Sequence, residues 1–225
     1  MRTSAISENL FKVLKETLKI DELKGYFLVG GTNLAIRYKH RMSVDIDLFT
    51  DNYFDFQRAN KIELSFKNVF GKRLLDFKTH AGSLNKPYLL QAFISENGET
   101  IKVDLVDWCL NFFKIERINN IPLMDVRDIG FLKLSSMCGR GSIKDAYDLN
   151  LITEEIPLIE LWNLRNEIFE KNDLLNGKRI LDPKELKNFK RIDETIENMP
   201  GFPTQEQAKV QWIQKVEALL KRLGL

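Results

Sequence analysis

In Val44-Asp45-Ile46-Asp47-Leu48-Phe49, apolar and acidic side chains alternate without a break from Val44 to Leu48. A period of two belongs to a strand with one buried face, so Val44, Ile46 and Leu48 point to one side and Asp45 and Asp47 to the other. Such a strand requires a cover over its apolar face and leaves two carboxylates projecting together from the opposite one. The preceding residues narrow the choice further. Tyr26-Phe27-Leu28-Val29 is a short apolar run that stops at Gly30-Gly31, and Thr32 to Arg37 has helical character: strand, glycine turn, short helix.

Around this segment the pattern is mixed α/β. Residues 7–19 place Leu10, Val13, Leu14 and Leu18 on one helical face behind Ser7 as N-cap, and residues 56–70 are also helical in pattern. Strands are expected at 89–94 and 100–106, joined through Asn97-Gly98, a strong hairpin signal. The second of these carries Val103 and Leu105 on one face and Lys102 and Asp104 on the other. From about residue 125 the pattern turns helical and stays so. Asp125 and Asp128 fit a first turn, Ser142 caps the next helix, Asp182-Pro183 with Glu185 opens another, and Thr204 with Gln207 forms a capping box before a last helix ending at Gly224. The expected division is an α/β domain over 1–124 and a helical domain over 125–225. The fold class is α+β: a mixed sheet of four to six strands with flanking helices, followed by helices.

Lys+Arg 34 against Asp+Glu 32 leaves a net charge of +2, so the broad basic surface of a nonspecific DNA binder is excluded and any nucleic-acid contact is local. Cys109 and Cys138 lack CxxC spacing, which argues against a disulfide framework or a zinc site and suits a reducing cytoplasm. With no apolar run of about 18 residues, neither membrane spanning nor secretion is expected.

The chemistry lies in what the acidic faces can bind. Aspartates at i and i+2 on a strand are close enough to ligate one divalent cation or bridge two, and Asp104 adds a third carboxylate if the hairpin joins the sheet beside residues 44–49. Three carboxylates suit Mg2+ or Mn2+, which take oxygen ligands and complete their shell with water and substrate phosphate. Gly30 and Gly31 permit close backbone approach, and the following helix start at Thr32 offers N–H donors and a positive dipole end to a triphosphate. Lys133, at the edge of the first C-terminal helix, can reach phosphate as a point charge. Arg140 lies between Gly139 and Gly141, on an expected turn, with a fork suited to phosphate oxygens. Asp145 and Asp148 share the next helical face and are candidates to position Lys133, bind metal or assist deprotonation. Arg41 either orients an aspartate or binds phosphate; Ser43 shares the parity of the aspartates. His40 and His80 are expected in ordinary surface roles, Trp108, Trp162 and Trp212 in packing, and the basic residues 184–191 on a solvated helix face.

Gly30-Gly31-Thr32 followed by Arg41-x-Ser43-x-Asp45-Ile46-Asp47-Leu48 resembles the signature of the DNA-polymerase-β-like nucleotidyltransferases. The closer likeness is to the AbiEii/AbiGii group of bacterial abortive-infection toxins. Val103-Asp104-Leu105 is similar to that group's third acidic strand, Lys133-Leu134-Ser135-Ser136 to its lysine segment, and Arg140 through Leu149 to its basic-then-acidic helix. Across residues 26–150 the resemblance implies metal-dependent transfer of a nucleoside monophosphate from an NTP to an acceptor such as tRNA. It also implies a cognate antitoxin as partner. Asp45, Asp47 and Asp104 would be metal ligands. Asp45, Asp47, Asp104, Lys133, Asp145 and Asp148 would be catalytic, and Gly30, Gly31, Thr32, Arg41, Ser43, Lys133 and Arg140 would bind nucleotide, with Lys133 and Arg140 on a helical domain that closes over it. The alternatives are transfer to a small molecule or a protein hydroxyl, and a noncatalytic NTP-binding or protein-binding module.

Overall fold

The computed structural model describes residues 4–53, 55–82, 86–107, 111–171, 181–191 and 194–225. Backbone contacts divide the chain into two compact units, Met1–Asp125 and Val126–Leu225.

Among its described residues the first unit builds a mixed sheet of seven strands. In chain order they are β1 (Phe27–Leu28), β2 (Asp45–Phe49), β3 (Leu74–Ala81), β4 (Pro87–Glu96), β5 (Glu99–Val106), β6 (Glu116–Ile118) and β7 (Ile121–Leu123). Their spatial order is β3-β4-β5-β2-β1-β7-β6. The pairs β2–β5 and β1–β7 are parallel and the others antiparallel. Three helices accompany the sheet: α1 (Glu8–Thr17), α2 (Gly30–Tyr38) and α3 (Phe56–Phe70). Ser7 caps α1 by accepting from the Leu10 N–H at 3.0 Å, and Asp55 caps α3 by accepting from the Arg58 N–H at 2.8 Å.

Alternation along β2 and β5 buries one set of side chains. Ile46, Leu48, Val103 and Leu105 are fully buried in one apolar cluster with Leu10, Val13 and Leu14 of α1 and Ala59, Ile62 and Phe66 of α3. Each such side chain contributes about 1.5–3 kcal/mol over its exposed state, which fixes strand parity, because a one-residue slip would bury the acids instead. Val44 departs from the expected alternation: it precedes β2 and is 57% exposed. The seven strands exceed the expected four to six by one, and the sequence pattern indicates no range for β3, β6 and β7. Their sequences hide them, since β3 has intermediate burial at every third residue rather than every second, and β6 and β7 have three residues each.

The second unit contains α4 (Val126–Arg140), α5 (Ile143–Glu155), α6 (Leu158–Lys171) and α7 (Gln205–Arg222), with a 3-10 turn at Pro183–Lys187. Trp212 is fully buried and donates its indole N–H to the Leu186 carbonyl at 2.7 Å; Trp162 is also buried, while Trp108 and Cys109 lie outside the described residues. The helical pattern is not continuous as expected. Asp182 does accept from the Lys184 N–H, but only the five-residue turn follows. The basic stretch is correspondingly not a helix face: Lys190 donates to the Gly139 carbonyl at 3.1 Å and pairs with Glu185 at 2.9 Å. Thr204 and Gln207 complete the expected capping box of α7. Thr204→Ala is expected to destabilise the protein by about 1 kcal/mol, read as a lower urea midpoint with unchanged slope. Among the described residues no helix is long and apolar enough to cross a membrane.

Candidate active site

The polar face of the first unit's sheet carries the acids. Parallel pairing sets Asp45 opposite Lys102 and Asp47 opposite Asp104, so the side chains of all four residues emerge on the same side of neighbouring strands. The antiparallel β4–β5 register then places Gln91 opposite Asp104. Gln91 donates its amide N–H to Asp104 Oδ1 at 3.0 Å, and Lys102 donates to Asp104 Oδ2 at 2.8 Å. The same ammonium lies 4.0 Å from Asp45 Oδ1. Burial lowers the Lys102 pKa, but the hydrogen bond to Asp104 and the charges of Asp45, Asp104 and Asp47 outweigh it and hold the pKa above the ordinary lysine value.

The glycine turn abuts this face. The Val29 N–H donates to the Asp47 carbonyl at 2.9 Å, which brings the start of α2 beside the second aspartate. Here Gly30 has φ +67°, and a Cβ on it would run into Asp47 Oδ2; a Cβ on Gly31 would run into the Arg41 guanidinium. Both glycines thus lie in close approach, one to a carboxylate and one to a cation, and Gly30 is also favoured by its left-handed backbone. Helix α2 begins at Gly30, two residues earlier than the pattern indicated, so the N–H groups of its first turn have no carbonyl within the helix to reach. Behind the turn, Asn33 donates to the carbonyls of Leu28 at 2.8 Å and Met124 at 3.1 Å and fixes α2 against β1 and the end of β7.

Thr32 and Ser43 are buried and turned towards each other, their hydroxyls 2.8 Å apart, and Thr32 also donates to the Asp45 carbonyl. They brace the crossing from α2 to the acidic strand. Arg41 is 6% exposed and donates to the Met42 carbonyl at 3.0 Å. His40 is fully buried, against the expected surface role, and His80 Nε2 lies 2.7 Å from the Gln91 amide oxygen.

Gly30→Ala is expected to cost about 1–2 kcal/mol from the left-handed backbone alone. It should also displace Asp47, so activity per folded molecule falls further than stability. Denaturant unfolding beside a transfer assay separates the two losses.

The second unit holds a separate charged cluster. Lys133 of α4 is buried, with its ammonium 2.9 Å from Asp145 Oδ1 and 2.7 Å from Asp148 Oδ2, both aspartates on α5 and both fully buried. Arg140 is the last residue of α4 rather than a turn residue, and it grips Asp145 with Nε at 2.7 Å and Nη2 at 2.9 Å. The Asp145 carboxyl is disfavoured as an anion by burial, yet the two cations more than offset this and hold its pKa below the ordinary carboxylate value. The spacing of Asp145 and Asp148 puts both on the face that receives Lys133.

The donors on the sheet are all carboxylate oxygens, the ligand type that Mg2+ and Mn2+ prefer. As the side chains stand, no three acidic, histidine or cysteine groups among the described residues close round one point. Two of the three acids lie beside a cation, the Lys102 ammonium, which is 2.8 Å from Asp104 Oδ2 and 4.0 Å from Asp45 Oδ1. The sequence pattern placed Lys102 on the Asp104 face without giving it a role, and did not mark Gln91. Lys102 had a signal in its parity with Asp104, and Gln91 had one in the two-residue turn, which counts back from Glu96–Glu99 to Gln91–Asp104.

A family model described as nucleotidyl transferase AbiEii toxin, type IV toxin–antitoxin system, matches residues 13–223. No curated protein matches the sequence. Among solved structures, the chain is similar to a candidate nucleotidyltransferase of Thermotoga maritima, with 15% identity over 60% of this chain and 90% of that one and a TM-score of 0.38.

Proposed function

This chain belongs to the AbiEii nucleotidyl transferase toxin family of type IV toxin–antitoxin systems, and we propose that it transfers a nucleoside monophosphate from an NTP to an RNA acceptor, with tRNA the first to test. The observation that carries this is the β2–β5 register, which sets Asp45, Asp47 and Asp104 on one sheet face beside the glycine turn and the start of α2. A hydroxyl of the acceptor attacks the α-phosphorus in line, a new P–O bond forms, and the bond to pyrophosphate breaks.

Asp45, Asp47 and Asp104 would hold Mg2+ or Mn2+, which when bound neutralises phosphate charge and lowers the pKa of the attacking hydroxyl. The turn at Gly30 and Gly31 offers N–H groups and the positive end of α2 to the triphosphate. Arg41 packs against Gly31 and supports that backbone, while Thr32 and Ser43 keep the turn in place relative to Asp45. In the second unit Lys133 and Arg140 are the proposed phosphate-binding cations, with Asp145 and Asp148 positioning Lys133 and Asp145 positioning Arg140. A cognate antitoxin protein is the expected partner, as the family's toxin–antitoxin description suggests.

The test is to incubate the purified chain with each labelled NTP, Mg2+ or Mn2+ and total RNA. Transfer of label to RNA is expected, with one NTP preferred. Label on protein alone would redirect the acceptor to a protein hydroxyl, and neither transfer nor NTP binding would overturn the assignment.

A further inference from the structure

The two oxygens of Asp104 have different partners. Oδ1 takes the Gln91 amide N–H, and the Gln91 amide oxygen in turn faces His80 Nε2 at 2.7 Å. An amide oxygen only accepts, so in this orientation His80 donates, and a flip would turn the amide oxygen towards the Asp104 carboxylate and lose the bond to Oδ1. Gln91 is therefore a fixed partner for Oδ1. Oδ2 instead takes the Lys102 ammonium, on a flexible stem whose side chain is 31% exposed. The same ammonium approaches Asp45 Oδ1 at 4.0 Å, and its residue lies diagonally across the register from Asp47.

Three carboxylates held on one face repel one another, and Lys102 is the cation placed among them. We propose that Lys102 is the resident counter-cation of this site: it holds the carboxylates together while no divalent ion is bound, gives up Asp104 Oδ2 and Asp45 when one enters, and thereby sets the metal affinity. The inference rests on the metal-dependent reading given above. Metal and ammonium compete for the same oxygens, so the site fills only when the divalent ion outcompetes a tethered charge. The ammonium has solvent to move into, and its three N–H groups can be satisfied there. Gln91 stays on Oδ1 throughout and keeps Oδ2 presented.

The test is Mn2+ binding to the intact chain without nucleotide, measured by the electron paramagnetic resonance signal of free Mn2+, together with thermal unfolding of the metal-free protein. Lys102→Met keeps the stem and removes the charge. It is expected to bind Mn2+ about tenfold more tightly than wild type and to unfold at a lower temperature when metal-free, with Mn2+ restoring the difference. Lys102→Gln keeps a hydrogen-bond donor without charge and should show the same gain in affinity, which covers the case in which Lys102→Met does not fold. Asp47→Asn should bind Mn2+ more weakly. Folded Lys102 variants that bind Mn2+ no more tightly than wild type would overturn the role of Lys102 while leaving metal dependence standing. A wild-type chain that binds no Mn2+ at millimolar concentration would overturn both.

Discussion

Asp47→Ala is expected to reduce nucleotide transfer by about a thousandfold or more, equivalent to about 4 kcal/mol of barrier, and to abolish growth arrest on induced expression. Asp47 lies at the centre of the acidic face: it is opposite Asp104 across the strand pair, two residues from Asp45, and against Gly30. Its loss would remove a proposed ligand common to any arrangement of one or two metal ions there. The same change should not weaken the fold. The side chain projects from the polar face, the strand's contribution to the core comes from Ile46 and Leu48, and the carbonyl that receives the Val29 N–H remains. Removing one of three neighbouring carboxylates also relieves repulsion. Unchanged or raised thermal stability with lost turnover is the expected signature, shared by Asp45→Ala. Asp76→Ala, on β3 and paired with the exposed Lys78, is the control that should keep full activity. An Asp47→Ala protein whose remaining activity simply tracks its folded fraction would contradict the catalytic assignment.

Lys133→Met should be the most damaging single change to stability, costing about 3–5 kcal/mol. The substitution leaves Asp145 and Asp148 fully buried without the ammonium that bonds to both, while Arg140 still pairs with Asp145. A double variant, Lys133→Met with Asp148→Asn, should recover part of the loss by removing one of the two buried negative charges. The pH dependence has a definite sign. In the wild type the Asp145 carboxyl has a folded pKa below its unfolded value, so its stabilising contribution is complete above the unfolded value near 4 and is lost as pH falls through the folded one. Lys133→Met withdraws one of the two cations that keep Asp145 ionised. The gap between wild type and variant should therefore be widest above about pH 4 and narrow as pH falls below 4 towards the folded value, as followed by urea denaturation at several pH values. A gap independent of pH would point to packing of the lysine stem rather than to its charge.

Much of the local structure was legible because the signals are short-range. The Ser7 cap, helix α3 and the Thr204–Gln207 capping box depend on residues within a turn of one another, and so does the Asn97-Gly98 hairpin, with both residues at positive φ. The parity of Asp45, Asp47 and Asp104 against the apolar residues between them was equally plain. Less visible were β3, β6 and β7, whose patterns are too irregular or too short to carry a period. The burial of His40 and the exposure of Val44 were also hidden, because each depends on what packs nearby rather than on neighbours in sequence.

The sequence by itself determined that two acidic strand faces exist, that a glycine turn precedes the first, and that Asn97-Gly98 turns the chain into the second. Only the tertiary structure decided that β5 runs parallel to β2 with Asp104 against Asp47 and Lys102 against Asp45. It also decided that Arg41 packs under Gly31 and that Lys133 is held by Asp145 and Asp148 rather than left at a helix edge. The physical reason is the range of the forces. Caps, turns and strand parity are set by backbone hydrogen bonds and sterics within a few residues, whereas pairing between strands more than 50 residues apart is chosen by how the whole apolar face is buried.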